Sequence, residues 1–205
     1  MTGMLIFDRD VCRDLIRQRK KLGHNRYDEV WEGVYIMPSV PSLEHQEIVA
    51  DCVAILTEVV KNERKGNVYP GANVSDRPKT WKKNYRVPDV VVLLTESQAR
   101  KFENHIFGGP DFLIEIRSPK EDPDKKLPSY SKIAVGELLI VDRDSREPSL
   151  LRHDGHDLVP VKPTSSGERW LESAVLPLAF RRGGTKAKPK LEIKRTDGVA
   201  GHWSV

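Results

Sequence analysis

The sequence predicts an α/β sandwich, a mixed β-sheet core flanked by helices, and three observations predict it. Continuous apolar, largely β-branched runs stand at "VVVLL" (90–94), "FLIEI" (112–116) and "ELLIV" (137–141), the pattern of strands covered on both faces. The stretch 42–66 repeats apolar residues at Ile48, Val49, Cys52, Val53, Leu56, Val59 and Val60, the period of a helix. Helical and strand patterns also interleave along the chain instead of separating into blocks.

The elements follow in order. "DRDVCRDLIRQRKKLG" (8–23) has a cap-like Asp8, apolar Val11, Leu15 and Ile16, late basic residues and a closing Gly23, which together predict an amphipathic helix on the rim. "YDEVWEGVYIMPS" alternates about Gly33 like a hairpin. After the long helix come the strands "NVYPGANVS" and "YRVPDVVVLL", then "PDFLIEIRS". "PKEDPDKKLPSYSKIAVG" reads as a helix interrupted or restarted near Pro123 and Pro128. "ELLIVD" is a short buried strand, and "PSLLRHDGHDLVPV" turns at "HDGH" as a last hairpin.

A chain of 205 residues suits one core. With 38% hydrophobic and 31% charged residues, its composition excludes an integral membrane protein and a disordered chain. No apolar stretch approaches the ~20 residues that span a bilayer. "MTGMLIFDRD" lacks the basic start and apolar run of a signal peptide, so a cytoplasmic location is expected. Cys12 and Cys52 sit among apolar neighbours in helical segments and are expected as buried thiols. The net charge of +4 is uneven: residues 181–205 carry seven Lys/Arg against two acids, a surplus of five that leaves the first 180 residues at −1. A single domain over 1–180 followed by a basic, partly mobile tail over 181–205 is expected; "LEIKR" within that tail is a candidate edge strand.

Glu115 lies between Ile114 and Ile116 in a strand that should be buried. An ionised carboxylate there costs several kcal/mol or more unless it has a partner. Asp89, directly after Pro88, stands at the mouth of the preceding strand. If the two strands are neighbours, their carboxylates face one spot and need a bridging cation; a hard ion such as Mg²⁺ takes one or two carboxylates plus waters. Strand alternation puts Arg117 on the face of Glu115. Lys126, four residues after Asp122 and four before Tyr130, reaches back towards Glu115 if the following helix is continuous. A salt bridge from Glu115 to Arg117 or Lys126 is the purely structural alternative.

In this order, "RVPDVVVL", "GGPDFLIEIRSP", "EDPDKKLPSY" and "VGELLIVD" resemble the Uma family of restriction-endonuclease-like proteins, a branch of the PD-(D/E)XK nuclease superfamily. The upstream "EVWEGVYIMPSVPSLEHQEIV" is similar to that family's amino-terminal signature, so the resemblance spans roughly residues 26–180. It implies a restriction-endonuclease-like fold and a Mg²⁺-dependent endonuclease acting on DNA, with Mn²⁺ as a substitute. It further implies that Asp89 and Glu115 bind the metal and that Lys126 places water or stabilises the transition state. The superfamily carries a Lys two positions after the Glu, where this chain has Arg117; the Uma family similarly has its Lys on the next helix.

Glu29 and His45 match recurrent polar positions of the family, suited to the outer shell of such a site. In "WKKNYR", Lys82, Lys83 and Arg86 precede Asp89, placed to hold a phosphate backbone. Cutting both strands would call for two sites, hence a homodimer. The departure at Arg117 leaves a second reading open, a non-cleaving nucleic-acid-binding protein with a degenerate nuclease fold.

Overall fold

The computed structural model describes residues 9–119, 122–165 and 167–205. Helix α1 (Arg9–Lys21) is amphipathic as its spacing requires, and the Asp8 cap lies outside the described residues. Arg19 near its end bonds the buried Asp28 through Nε at 2.9 Å, which fastens α1 to the hairpin β1 (Glu29–Trp31) and β2 (Val34–Ile36). Both central turn residues, Glu32 and Gly33, have positive φ (45° and 89°), the geometry that matches the twist of two paired strands. Glycine adopts it freely; Glu32 is held there by Asn84, whose Oδ1 accepts the Glu32 amide at 3.0 Å and whose Nδ2 donates to Oε1 at 2.7 Å.

Helix α2 (Leu43–Leu56) starts at Ser42, whose Oγ accepts the His45 amide at 3.2 Å, and continues as a π-helical turn over Thr57–Lys61. Then come β3 (Gly66–Pro70), β4 (Val74–Ser75), β5 (Val90–Leu94), β6 (Arg100–Lys101), β7 (Ile106–Phe107) and β8 (Phe112–Arg117). The helix expected after β8 is split into a 3₁₀ turn, Pro123–Lys126, and α3 (Leu127–Lys132). Each proline sits at the start of its piece, where a missing amide proton costs nothing. The chain continues with β9 (Glu137–Asp142), β10 (Pro148–His153), β11 (Leu158–Pro160), β12 (Leu171–Glu172), β13 (Leu178–Gly184), β14 (Pro189–Arg195) and β15 (His202–Ser204).

The main sheet has the order β11-β10-β9-β8-β5-β3, antiparallel except for the β8/β9 pair, which the split helix connects. Strand alternation sorts the middle strands. Val90, Val92, Phe112, Ile114 and Ile116 pack with Ile48, Cys52 and Leu56 of α2 and with the second sheet, β12-β13-β14-β15. Val91, Leu93, Leu113, Leu138 and Ile140 pack on the other face with Tyr130 of α3 and with Val74 and Ile106 of the small sheet β4-β7-β6. No described helix is long and apolar enough to cross a membrane.

Two expectations need correcting. The boundary at residue 180 falls inside β13, and the segment expected as a mobile tail pairs in register, Gly183 with Lys190 and Phe180 with Ile193. Leu191, Ile193 and Val205 are buried, so the alternation of "LEIKR" serves the core, while the Arg195 side chain is enclosed between Glu63 and Asp197. Cys12 is only partly buried, whereas Cys52 is enclosed, and both are free thiols.

Candidate active site

Glu115 projects from the α3-side face of β8 and is 5% exposed. Its partner is Lys126, whose Nζ lies 2.9 Å from Oε1 and 3.1 Å from Oε2. The same ammonium reaches Glu29 Oε1 at 3.0 Å, so one cation serves two carboxylates from different elements. Tyr130, fully buried on α3, donates its hydroxyl proton to Glu115 Oε1 at 2.5 Å. The break between the 3₁₀ turn and α3 leaves Lys126 and Tyr130 on the same side, as their four-residue spacing intended.

Asp89 completes the group from the mouth of β5. Its Oδ2 accepts the Ile116 amide at 2.7 Å, which docks it beside Glu115, and its Oδ1 lies 3.0 Å from His45 Nε2. The other ring nitrogen of His45 is 3.1 Å from Ser118 Oγ, so the imidazole bridges β5 and the end of β8. Glu29, His45, Asp89, Glu115 and Lys126 therefore line one cleft.

The electrostatics follow from burial and crowding. Burial pushes the Glu115 carboxyl up to about 7; Lys126 pulls against it, and Asp89 and Glu29 add to the rise. Burial acts to lower Lys126, but Glu115 and Glu29 outweigh it and hold the ammonium above the usual lysine range. Burial, then Glu115 and Glu29, raise the Tyr130 hydroxyl well above its ordinary value. At neutral pH Lys126 is a fixed positive charge and Tyr130 a proton donor.

Asp89 and Glu115 are the residues that could hold a hard divalent cation. Two carboxylates that repel one another converge in the cleft, and Mg²⁺ takes one or two such ligands while keeping several waters. Among the described residues no group of three or more Asp, Glu, His or Cys side chains is arranged to hold a metal ion.

Two expected residues stand elsewhere. Arg117 leaves the cleft and pairs with Asp124 at 2.8 Å, because the strand ends there and the guanidinium reaches solvent. Arg86 is buried under the Trp31 ring, 4.8 Å from its centroid, and donates to the carbonyls of Val30 and Tyr85 and to Asn84 Oδ1. That place removes it from any phosphate path. Lys82 and Lys83 are exposed on the 3₁₀ turn Trp81–Lys83, which packs against the β1–β2 hairpin; the Gly33 amide donates to the Lys83 carbonyl at 3.1 Å.

Trp31 and Tyr130 were not assigned as site residues from the sequence. Their signals were spacing alone, Trp31 two residues after Glu29 on a strand and Tyr130 four after Lys126. A second buried carboxylate, Glu137 at the head of β9, is structural: it accepts from Arg152 at 2.6 Å, from the Ala174 amide at 2.9 Å and from the Ser173 hydroxyl, tying the main sheet to the turn before β13.

The chain is similar to known proteins at two levels. The family model Uma2, described as "Putative restriction endonuclease", matches residues 20–185. A crystal structure titled as a "putative nuclease belonging to DUF820" from Anabaena variabilis superposes with a TM-score of 0.56 at 21% identity, over 71% of this chain and 80% of that one. That likeness establishes the fold. No curated protein matches the chain.

Proposed function

The chain belongs to the Uma2 family, and from that membership we propose that it is a Mg²⁺-dependent endonuclease hydrolysing phosphodiester bonds in DNA. The observation that carries the reading is the position of Lys126, between Glu29 and Glu115 in the cleft that also holds Asp89. It supplies the cation that strand β8, with Arg117 turned away, does not. Asp89 and Glu115 would hold Mg²⁺, or Mn²⁺ in its place. When bound, the ion polarises the phosphoryl oxygens and lowers the pKa of a water ligand.

The protein's own groups have separate tasks. Lys126 stays protonated, so it opposes the charge that develops on the phosphoryl oxygens and is no general base. Glu29 and Tyr130 fix the Lys126–Glu115 pair, and His45 orients the Asp89 carboxylate. Lys82 and Lys83 hold the strand on its way to the cleft. Cutting both strands calls for two such clefts, which a homodimer provides.

Nicking of supercoiled plasmid tests the proposal. Wild-type protein should cut with Mg²⁺ or Mn²⁺, yield 5′-phosphate ends, and stop with EDTA or on Glu115→Gln. Binding without cutting in either metal would establish the non-cleaving alternative.

A further inference from the structure

The walls of the cleft differ in chemistry. The lining combines the carboxylates, His45 and Lys126 with a largely apolar remainder that includes Tyr27, Trp31, Met37, Pro38, Pro41 and Pro123 beside Ser39. Lys126 is the only Lys or Arg among the described lining residues, and it is already committed to Glu29 and Glu115. A groove that grips duplex DNA at its phosphates needs rows of free cations. Among the described residues this cleft has none to offer beside its acids.

Trp31 is built as a platform. Its Nε1 donates to Glu29 Oε2 at 2.5 Å, so the ring edge is pinned to the carboxylate that also holds Lys126. The Arg86 guanidinium lies 4.8 Å from the ring centroid and is itself buried, yet Arg86 lines no part of the cleft while Trp31 does. One face of the indole is thus taken by a cation that is not part of the cleft. Among the described residues no other aromatic ring stacks on Trp31.

A nucleotide suits this cleft through its flat, weakly polar base, which matches the aromatic side. We propose that Trp31 stacks one unpaired nucleobase next to the scissile phosphate, so that the enzyme acts on single-stranded or locally opened nucleic acid rather than on intact duplex. The inference rests on the nuclease reading for the identity of the ligand. Its energetic source is base–aromatic stacking, which requires the base to leave its own stack.

Binding in EDTA isolates this step from cleavage. Fluorescence anisotropy with a labelled oligothymidylate and an abasic oligomer of equal length compares a strand with and without bases at the same number of phosphates. The wild type should prefer the base-bearing strand on the order of tenfold, and prefer it over the same strand in duplex. Trp31→Ala should remove the preference and leave the abasic affinity alone. Trp31→Phe, which keeps a ring but loses the bond to Glu29, should retain most of the preference.

Equal affinity for both oligomers, no binding of either, tighter binding of duplex, or a Phe variant as weak as the Ala variant would overturn the platform. Base-dependent binding without metal-dependent nicking would sink the nuclease reading alone. Nicking with base-independent binding would sink the platform alone.

Discussion

The carboxylate of Asp89 accepts the amide of Ile116 at 2.7 Å, so the mouth of β5 is docked onto the backbone of β8 one residue beyond Glu115. Two acids from separate strands are thereby held in one cleft by a main-chain contact that does not depend on side-chain rotamers at Glu115. Their repulsion contributes to the raised Glu115 carboxyl, and it is the tension that a cation would relieve.

Glu115→Gln should remove activity without collapsing the fold. The substitution does not strand Lys126, because Glu29 remains 3.0 Å from its Nζ, and the amide oxygen can still accept from Tyr130. The stability change should stay within about 1 kcal/mol. Thermal melts with and without Mg²⁺ check it: Mg²⁺ should raise the Tm of the wild type and not of the variant. A metal-independent loss of many degrees would make Glu115 a structural partner only.

Lys126→Ala should be the damaging change. It leaves Glu29 and Glu115, both buried, without their shared cation, and removing one partner of a buried pair costs roughly 3 kcal/mol or more. The deficit should shrink at pH 5, where Glu115 takes up a proton, and shrink again with Mn²⁺ at pH 7.5. A Tm equal to wild type under all three conditions would refute the role given to this ammonium.

The pH dependence has a definite sign. Glu115 has a native carboxyl near 7 against an ordinary value of 4.5, so between those values the folded protein binds more protons than the unfolded chain. Metal-free stability should therefore fall as pH rises through that window and level off above it. Divalent binding runs the other way, because the ion competes with the proton: Mn²⁺ affinity should weaken as pH drops below about 7, with proton release seen by calorimetry in two buffers. Glu115→Gln should abolish both trends.

Replacing Lys82 and Lys83 together by Gln should flatten the salt dependence of single-strand binding by about 1.4 in log–log slope, two phosphate contacts' worth. Arg86→Gln should leave that slope unchanged and lower the Tm instead, since Arg86 is enclosed beneath Trp31. The reverse pattern would put Arg86 on the nucleic acid.

Truncation after Arg182 should prevent folding. It removes β14 and β15 with the buried Leu191, Ile193 and Val205, each worth roughly 1.5–3 kcal/mol, from a domain whose whole stability is of the order of 5–15. Circular dichroism of the shortened chain reads the outcome; a native-like melt would show that the strands after Arg182 are not needed for folding.

By itself the sequence determined the middle of the sheet and the long helix, and it singled out Glu29, His45, Asp89, Glu115 and Lys126, which line one cleft, but not Trp31 or Tyr130. Period is a local property: a run such as "FLIEI" reads as a covered strand, and a carboxylate inside it demands a partner. The tertiary structure alone decided which partner. Lys126, not Arg117, reaches Glu115, because strand β8 ends at Arg117 while two prolines break the next segment where it folds back over the sheet. Arg86 looked free in a basic run and is buried, and the tail looked mobile and is paired, for the same reason: charge content describes a segment's composition, whereas burial depends on which distant surface arrives to cover it.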